Sequence, residues 1–272
     1  MNPIQAFILG VVEGLTEFLP VSSTGHLILV GHWLGVDDPA HKSFVDAFDV
    51  VVQFGALLAV VVHYRKLLSQ RVAGLFRNDP ASRSLLIALV IAFLPAAVFG
   101  FALHHAIEAR LFGPVPVAIA LIVGGIVMIV IEWFRARRKV HGLDGLEHVT
   151  PKRALLIGLG QCFSLWPGTS RSMSTIVAAQ LVGLSTATAA EFSFLLALPT
   201  LGAATAYKLV KARHVLLEAV GGISSLTIGL LVSFFVAWAV IAAFLRYLKT
   251  WGLAPFGVYR IALGVLVIAL LW

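Results

Sequence analysis

Six apolar runs, at about 45–64, 84–103, 116–134, 187–207, 215–241 and 254–271, approach or exceed the ~20 residues that a helix needs to cross a bilayer. They are too long for the strands of a membrane barrel, which take about 9–11 residues each. Lipid offers the backbone no hydrogen-bond partner, so each run has to satisfy itself as a helix. Composition agrees, with 60% hydrophobic residues, 12% charged residues and a mean hydropathy of +0.97. The expectation is an all-α polytopic membrane protein in one integral membrane domain. The first residues do not read as a cleavable signal, because no basic region leads them and Glu13 and Glu17 interrupt the apolar stretch. Cys162, the one cysteine, has no partner for an intrachain disulfide and reads as a small buried apolar residue. The net charge of +7 reads as basic cytoplasmic loops. No basic, aromatic-studded soluble module is present, so nucleic acid is set aside as a partner.

Two further segments, about 4–31 and 154–182, are apolar at both ends and broken in the middle. The first breaks at Leu19-Pro20-Val21-Ser22-Ser23-Thr24-Gly25 and the second at Trp166-Pro167-Gly168-Thr169-Ser170-Arg171-Ser172. Proline stops a helix, and glycine frees the chain to turn. Irregular backbone at membrane depth survives only inside protein or along a cavity. With both segments read as re-entrant hairpins, the loops 65–83, 135–153 and 242–253 hold thirteen Lys and Arg against five on the opposite side. The positive-inside rule then places those three loops in the cytoplasm and both termini outside.

Three spans separate the two broken segments, so the segments enter from opposite faces. GVVEGLTEFLPVSSTG (10–25) also echoes GLGQCFSLWPGTSRSM (158–173), with Glu13 opposite Gln161 and Ser22 opposite Ser170. The expectation is an inverted-topology repeat of six transmembrane helices plus two broken re-entrant hairpins. Repeat 1 covers about 1–134 and repeat 2 about 154–272. A site belongs near the midplane, where the two breaks meet.

Glu13 and Glu17 lie four residues apart and share a helix face. An ionised side chain at depth costs about 2.5–3.5 kcal/mol or more, so it normally faces a cavity; snorkelling to the interface is the plainer alternative. Ser22, Ser23 and Thr24 follow the break and suit the N-terminus of a second half-helix, where capping alone accounts for at least one hydroxyl. The same helix end offers free N–H groups and a positive dipole to an anion. His26, close by, is either a hydrogen-bonded core residue or an acid–base group. Thr169, Ser170 and Ser172 repeat the capping pattern in the second break, and Arg171 adds a permanent cation. Arg171 forms either a salt bridge to Glu13 or Glu17 or a bidentate clamp on phosphate. The remaining histidines (His32, His41, His63, His104, His105, His141, His148 and His214) read as interfacial or loop residues. Glu191 reads as a helix cap, and Arg260 as a membrane-interface anchor. Gly10 and Gly14 suit close helix packing.

EGLTEFLPVSSTGH (13–26), WPGTSRS (166–172), EFSFLLALP (191–199) and PFGVYR (255–260) together resemble the undecaprenyl-diphosphate phosphatases of the bacitracin-resistance type, over essentially the whole chain. The resemblance implies a bacterial plasma-membrane enzyme that hydrolyses undecaprenyl diphosphate to the monophosphate, the lipid carrier of peptidoglycan precursors. It implies a site opening to the outer face and a divalent cation, usually magnesium. Its acidic motif falls on Glu13 and Glu17, its hydroxyl and histidine motif on Ser22, Ser23, Thr24 and His26, and its arginine motif on Ser170, Arg171 and Ser172. Met173 stands where the family commonly has glycine and is expected to narrow the phosphate cleft.

On this reading Arg171, the helix N-termini and a cation held by Glu13 and Glu17 neutralise the diphosphate, with Glu17, Ser23, His26 and Arg171 as the catalytic group and Ser22, Thr24, Thr169, Ser170 and Ser172 lining the substrate. Ser23, His26 or a water attacks the terminal phosphorus, with His26 as the base for a serine attack. The sequence leaves these three open, as it leaves the oligomeric state, for which a homodimer is one expectation. The competing reading is a flippase of the polyprenyl phosphate built on the same repeat, which needs Arg171 but no serine–histidine pair.

Overall fold

The computed structural model describes residues 1–36, 42–111, 113–218 and 222–271. His41 lies outside them, as do the side chains of Lys42, His104, Lys208, Lys211, Arg213 and His214. Among the described residues eleven α-helices follow one another: α1 Pro3–Thr16, α2 Ser23–Trp33, α3 Lys42–His63, α4 Arg65–Phe76, α5 Pro80–Leu111, α6 Pro114–Arg137, α7 Pro151–Gln161, α8 Arg171–Leu181, α9 Thr186–Glu218, α10 Gly222–Tyr247 and α11 Ala254–Leu271. No strand occurs among the described residues, only an isolated bridge between Leu143 and Leu184. The chain is an all-α polytopic membrane protein.

Of the expected six crossings, length and apolarity account for four or five among the described residues. Four helices, α5, α6, α9 and α10, are long and apolar enough to cross a bilayer on their own, and α3 with α4 makes a fifth only if that bent pair is one span. α11, at 18 residues, is the short one. Most of the basic stretch expected as a loop at 65–83 is instead the helix α4, bent 72° from α3, and its last residues open α5. Lys66, Leu67, Gln70 and Arg71 are good helix formers, so the polarity that argued for a loop did not cost helicity. α6 runs to Arg137, and α7 starts at Pro151.

Both broken segments start alike. Asn2 caps α1 with Pro3 in the first turn, and Thr150 caps α7 with Pro151 in the first turn. α2 and α8, which follow the breaks, are 11 residues each. α1 packs on α10 and α7 packs on α5, while α6 lies along α11 and α3 along α9. The small pair expected of Gly10 and Gly14 makes the first contact possible. A Cβ on Gly14 would stand 2.8 Å from Ser233 O and 2.8 Å from Val236 Cβ. Outward, α5 presents Leu86, Ile87, Val90, Leu94 and Val98, the apolar surface that lipid requires. Inward, Phe18, Phe194 and Phe244 form an aromatic column under the first break, with Phe18 and Phe194 edge to face at 5.3 Å.

Candidate active site

Each break is a turn that ends on a serine with unusual backbone. Ser22 has φ 72° and Ser170 has φ 74°, in a region that side chains rarely enter. Each hydroxyl then accepts the N–H three residues on, Ser22 from Gly25 at 3.4 Å and Ser170 from Met173 at 3.3 Å. The conformation is held because the serine satisfies a helix end that would otherwise be orphaned at depth.

The two turns meet. Ser172, fully buried at the start of α8, donates to Leu19 O in the first turn at 2.9 Å. Ser170 donates to Ser172 Oγ at 3.0 Å, the only direction left once Ser172's own proton is committed to Leu19. Arg171, the first residue of α8, reaches across to Glu17. Its Nη2 lies 3.4 Å from Glu17 Oε1, and both side chains are nearly enclosed, at 9% and 7% exposure. Its Nη1 donates to Ser193 O on α9 at 3.0 Å, and its guanidinium lies 5.9 Å from the centre of the Phe18 ring. Its buried Nε has no acceptor, which leaves one donor for an incoming anion. Ser193 is itself fixed by Thr175, hydroxyl to hydroxyl at 2.6 Å.

The other oxygen of Glu17 accepts from Ser23 at 2.8 Å. Glu17 therefore bridges the hydroxyl of one half-helix and the guanidinium of the other. Glu13, one turn earlier, is fully buried, and no donor reaches either of its carboxylate oxygens. Glu17 and Asp49 add further negative charge around it. Two carboxylates one turn apart, one wholly unspent, suit a hard cation. Among the described residues no cluster of three or more His, Cys, Asp or Glu stands ready to hold a metal. That still fits magnesium, which is commonly bound by one or two carboxylates and completes its shell with water and substrate phosphate.

His26 is placed differently from the rest. Its Nδ1 lies 2.7 Å from Ser22 O, an acceptor, so Nδ1 carries the proton. Its Nε2 lies 2.7 Å from the hydroxyl of Tyr259 on α11, which is then the donor. Ser23 faces Glu17, and His26 faces Tyr259. Thr24 and Thr169 are half-buried beside the turns.

Three residues near the site carry more than the sequence suggested. Arg260 is no interface anchor: it is completely buried and donates to carbonyls of both turns. Tyr259 beside it orients His26. Met173 does not narrow the cleft; it is 5% exposed and packs in the core over Gly124.

The chain is thus a helical membrane protein in which a buried carboxylate joins a serine hydroxyl to an arginine, at the N-termini of two helices. Residues 6–266 match the family model described as "Bacitracin resistance protein BacA", and the chain belongs to that family. It is 63% identical over 264 residues to an undecaprenyl-diphosphatase of Sorangium cellulosum (strain So ce56), covering 97% of this chain and 85% of that protein. It is 48% identical over 271 residues to an undecaprenyl-diphosphatase of Thermoanaerobacter pseudethanolicus, covering 98% and 96%. The same name belongs to a Deinococcus deserti protein, 44% identical over 273 residues and covering 100% and 96%.

Proposed function

We propose that the protein hydrolyses undecaprenyl diphosphate to undecaprenyl phosphate and inorganic phosphate, returning the lipid carrier to cell-wall synthesis. The observation that carries this reading is the Ser23–Glu17–Arg171 line across the two turns. The diphosphate lies between the N-termini of α2 and α8, with its polyprenyl tail in lipid. Arg171 holds its charge through the unspent Nε. Ser23 Oγ attacks the terminal phosphorus while Glu17, already its acceptor, takes the proton. The bond to the bridging oxygen breaks, the lipid monophosphate leaves, and water then frees the phosphate from the serine. Positioning and electrostatics supply most of the rate in such a transfer. His26 reaches the substrate only by releasing Tyr259, so in this arrangement it serves the leaving oxygen or a water and not Ser23. Glu13 and Glu17 would hold a magnesium or another divalent cation, which would supply further neutralisation of the diphosphate.

The same proposal includes the bacterial plasma membrane, an inverted relation between the two halves, the basic residues of 65–83, 135–153 and 242–253 in the cytoplasm, both termini outside and a site opening to the outer face. Homodimerisation through lipid-facing helices belongs to it too, and the mass of the particle in nanodiscs decides that point. The matched packing of the two halves favours one alternative, a flippase of the lipid monophosphate on the same site. Purified protein in detergent, given undecaprenyl diphosphate with and without chelator, separates the two. The phosphatase releases phosphate, and does so less with chelator; a flippase alone releases none.

A further inference from the structure

Arg260 has no place in the reaction above, yet among the described residues it is the largest fully buried side chain. A guanidinium at membrane depth is costly and requires partners. Among the described residues no carboxylate forms an ion pair with it. Its hydrogen bonds all end on main-chain carbonyls. Nη1 donates to Pro20 O at 3.1 Å, and Nη2 to Gly168 O at 3.0 Å and Ala120 O at 3.2 Å, while Nε lies 3.4 Å from Leu121 O. Pro20 and Gly168 hold the same place in their two turns, each two residues before the capping serine. One prong of the guanidinium fork therefore takes the first turn and the other takes the second. The carbonyls of Ala120 and Leu121 pin the same group to α6.

We infer that Arg260 is a positioning residue that clasps the two turns in register, and so sets the distance between Ser23 with Glu17 and Arg171. The inference deepens the phosphatase reading and rests on it. Pro20 lies between Glu17 and Ser23, and Gly168 lies three residues before Arg171, so a shift at either carbonyl moves one side of the line against the other. A lysine presents one nitrogen where the two turns need two prongs. Gly124 on α6 makes room for the clasp. A Cβ there would stand 2.9 Å from Arg260 Cζ and would press on Nη2. Gly124→Ala therefore dislodges the fork without removing its charge.

The experiment uses the full chain in detergent, with undecaprenyl diphosphate as substrate and activity expressed per folded protein from a thermal melt. Arg260→Met is expected to lose about 10²-fold in kcat, and Arg260→Lys and Gly124→Ala about tenfold or more, because the chemistry tolerates less displacement than binding does. KM stays within about threefold, since Arg171 and the capped helix ends remain. In the Arg260→Met background, Gly124→Ala costs much less than in the wild type, because only the flexible end of Met173, whose Cε would stand 2.9 Å from the new Cβ, is left to give way. Overturning results are a folded Arg260→Lys or Arg260→Met within about twofold of wild type, or effects of Gly124→Ala and Arg260→Met that simply multiply. Activity that falls only in proportion to the loss of folded protein overturns it as well. If Arg260→Met does not fold, Arg260→Lys and Gly124→Ala carry the test. If the wild type releases no phosphate, the phosphatase reading fails by itself. The clasp is then judged by melting temperatures, where additive shifts of Gly124→Ala and Arg260→Lys overturn it and non-additive shifts support it.

Discussion

The two turns share a backbone and divide the chemistry. Ser22 and Ser170 have φ angles of 72° and 74°, make the same cap and open helices of 11 residues each. What they carry differs. The first turn follows Glu13 and Glu17; the second follows Gln161 and Leu165 at the equivalent places. The first residue of α2 is Ser23, and that of α8 is Arg171. Two identical acidic turns facing each other at depth would repel, and two arginine turns would do the same. One turn with carboxylates and one with a guanidinium satisfy each other at 3.4 Å and leave donors and acceptors spare for a substrate. Two turns of like backbone thus supply two helix N-termini, and their unlike side chains meet between them.

If the chemistry is divided in this way, removing the cation of the second turn is the largest single loss. Arg171→Ala is expected to lower phosphate release by about 10³-fold or more, at the upper end of what one preorganised donor contributes, with insertion and folding kept. Glu17→Gln, from the other turn, is expected to lose about 10²-fold, because the amide neither takes the Ser23 proton nor pairs with Arg171. Near-wild-type turnover by either would break the idea of one shared site. Glu13→Gln sharpens the comparison within the first turn. Its carboxylate has no partner to lose, so the expected change is in the magnesium needed for half-maximal rate, raised about tenfold. A magnesium titration that overlays the wild type would remove Glu13 from the cation's reach.

The meeting of Glu17, Ser23 and Arg171 was legible because polar residues in an apolar run are conspicuous, and because the two motifs align on their capping serines. Arg260 was not, because an arginine after a tyrosine near the start of the last apolar run has the pattern of a lipid-interface anchor. Its depth was the available signal. It lies six residues inside α11, more than one and a half turns past the start of the helix. Ser193 O and Pro20 O are main-chain acceptors, and sequence carries no mark of which carbonyl a distant arginine will find. The fold class follows directly from hydropathy, whereas α4 was hidden because charge density says where a segment sits and not whether it is helical. Met173 illustrates direction: its position beside the arginine motif was clear, but only the packing against Gly124 shows that it turns away from the cleft.

Ser172 tests how the turns are joined as opposed to what they carry. Its hydroxyl is committed to Leu19 O, and Ser172→Ala leaves that carbonyl without its donor. The expected result is a stability loss of about 1–3 kcal/mol, seen as a lower melting temperature, with most of the activity kept in the folded fraction. A large loss of kcat without a change in melting would instead place this hydroxyl on the substrate.

The smallest effects probe the shared backbone itself. At Ser22 and Ser170 the positive φ disfavours any side chain, while the hydroxyl gains a cap. Replacing either serine by alanine keeps the strain and loses the cap, so each should cost about 1 kcal/mol, within the usual range for capping residues. Replacing it by glycine loses the cap but relieves the backbone, so the net change should be only a few tenths of a kcal/mol. The decisive quantity is the match between the two sites. Ser22→Gly and Ser170→Gly, and likewise the two alanine variants, should agree to within about 0.5 kcal/mol, the level at which independent equivalent sites usually behave alike. A glycine variant tolerated in one turn and damaging in the other would mean that one serine does more than hold its helix end, and the first place to look for that extra role is the substrate face of Ser22 beside His26.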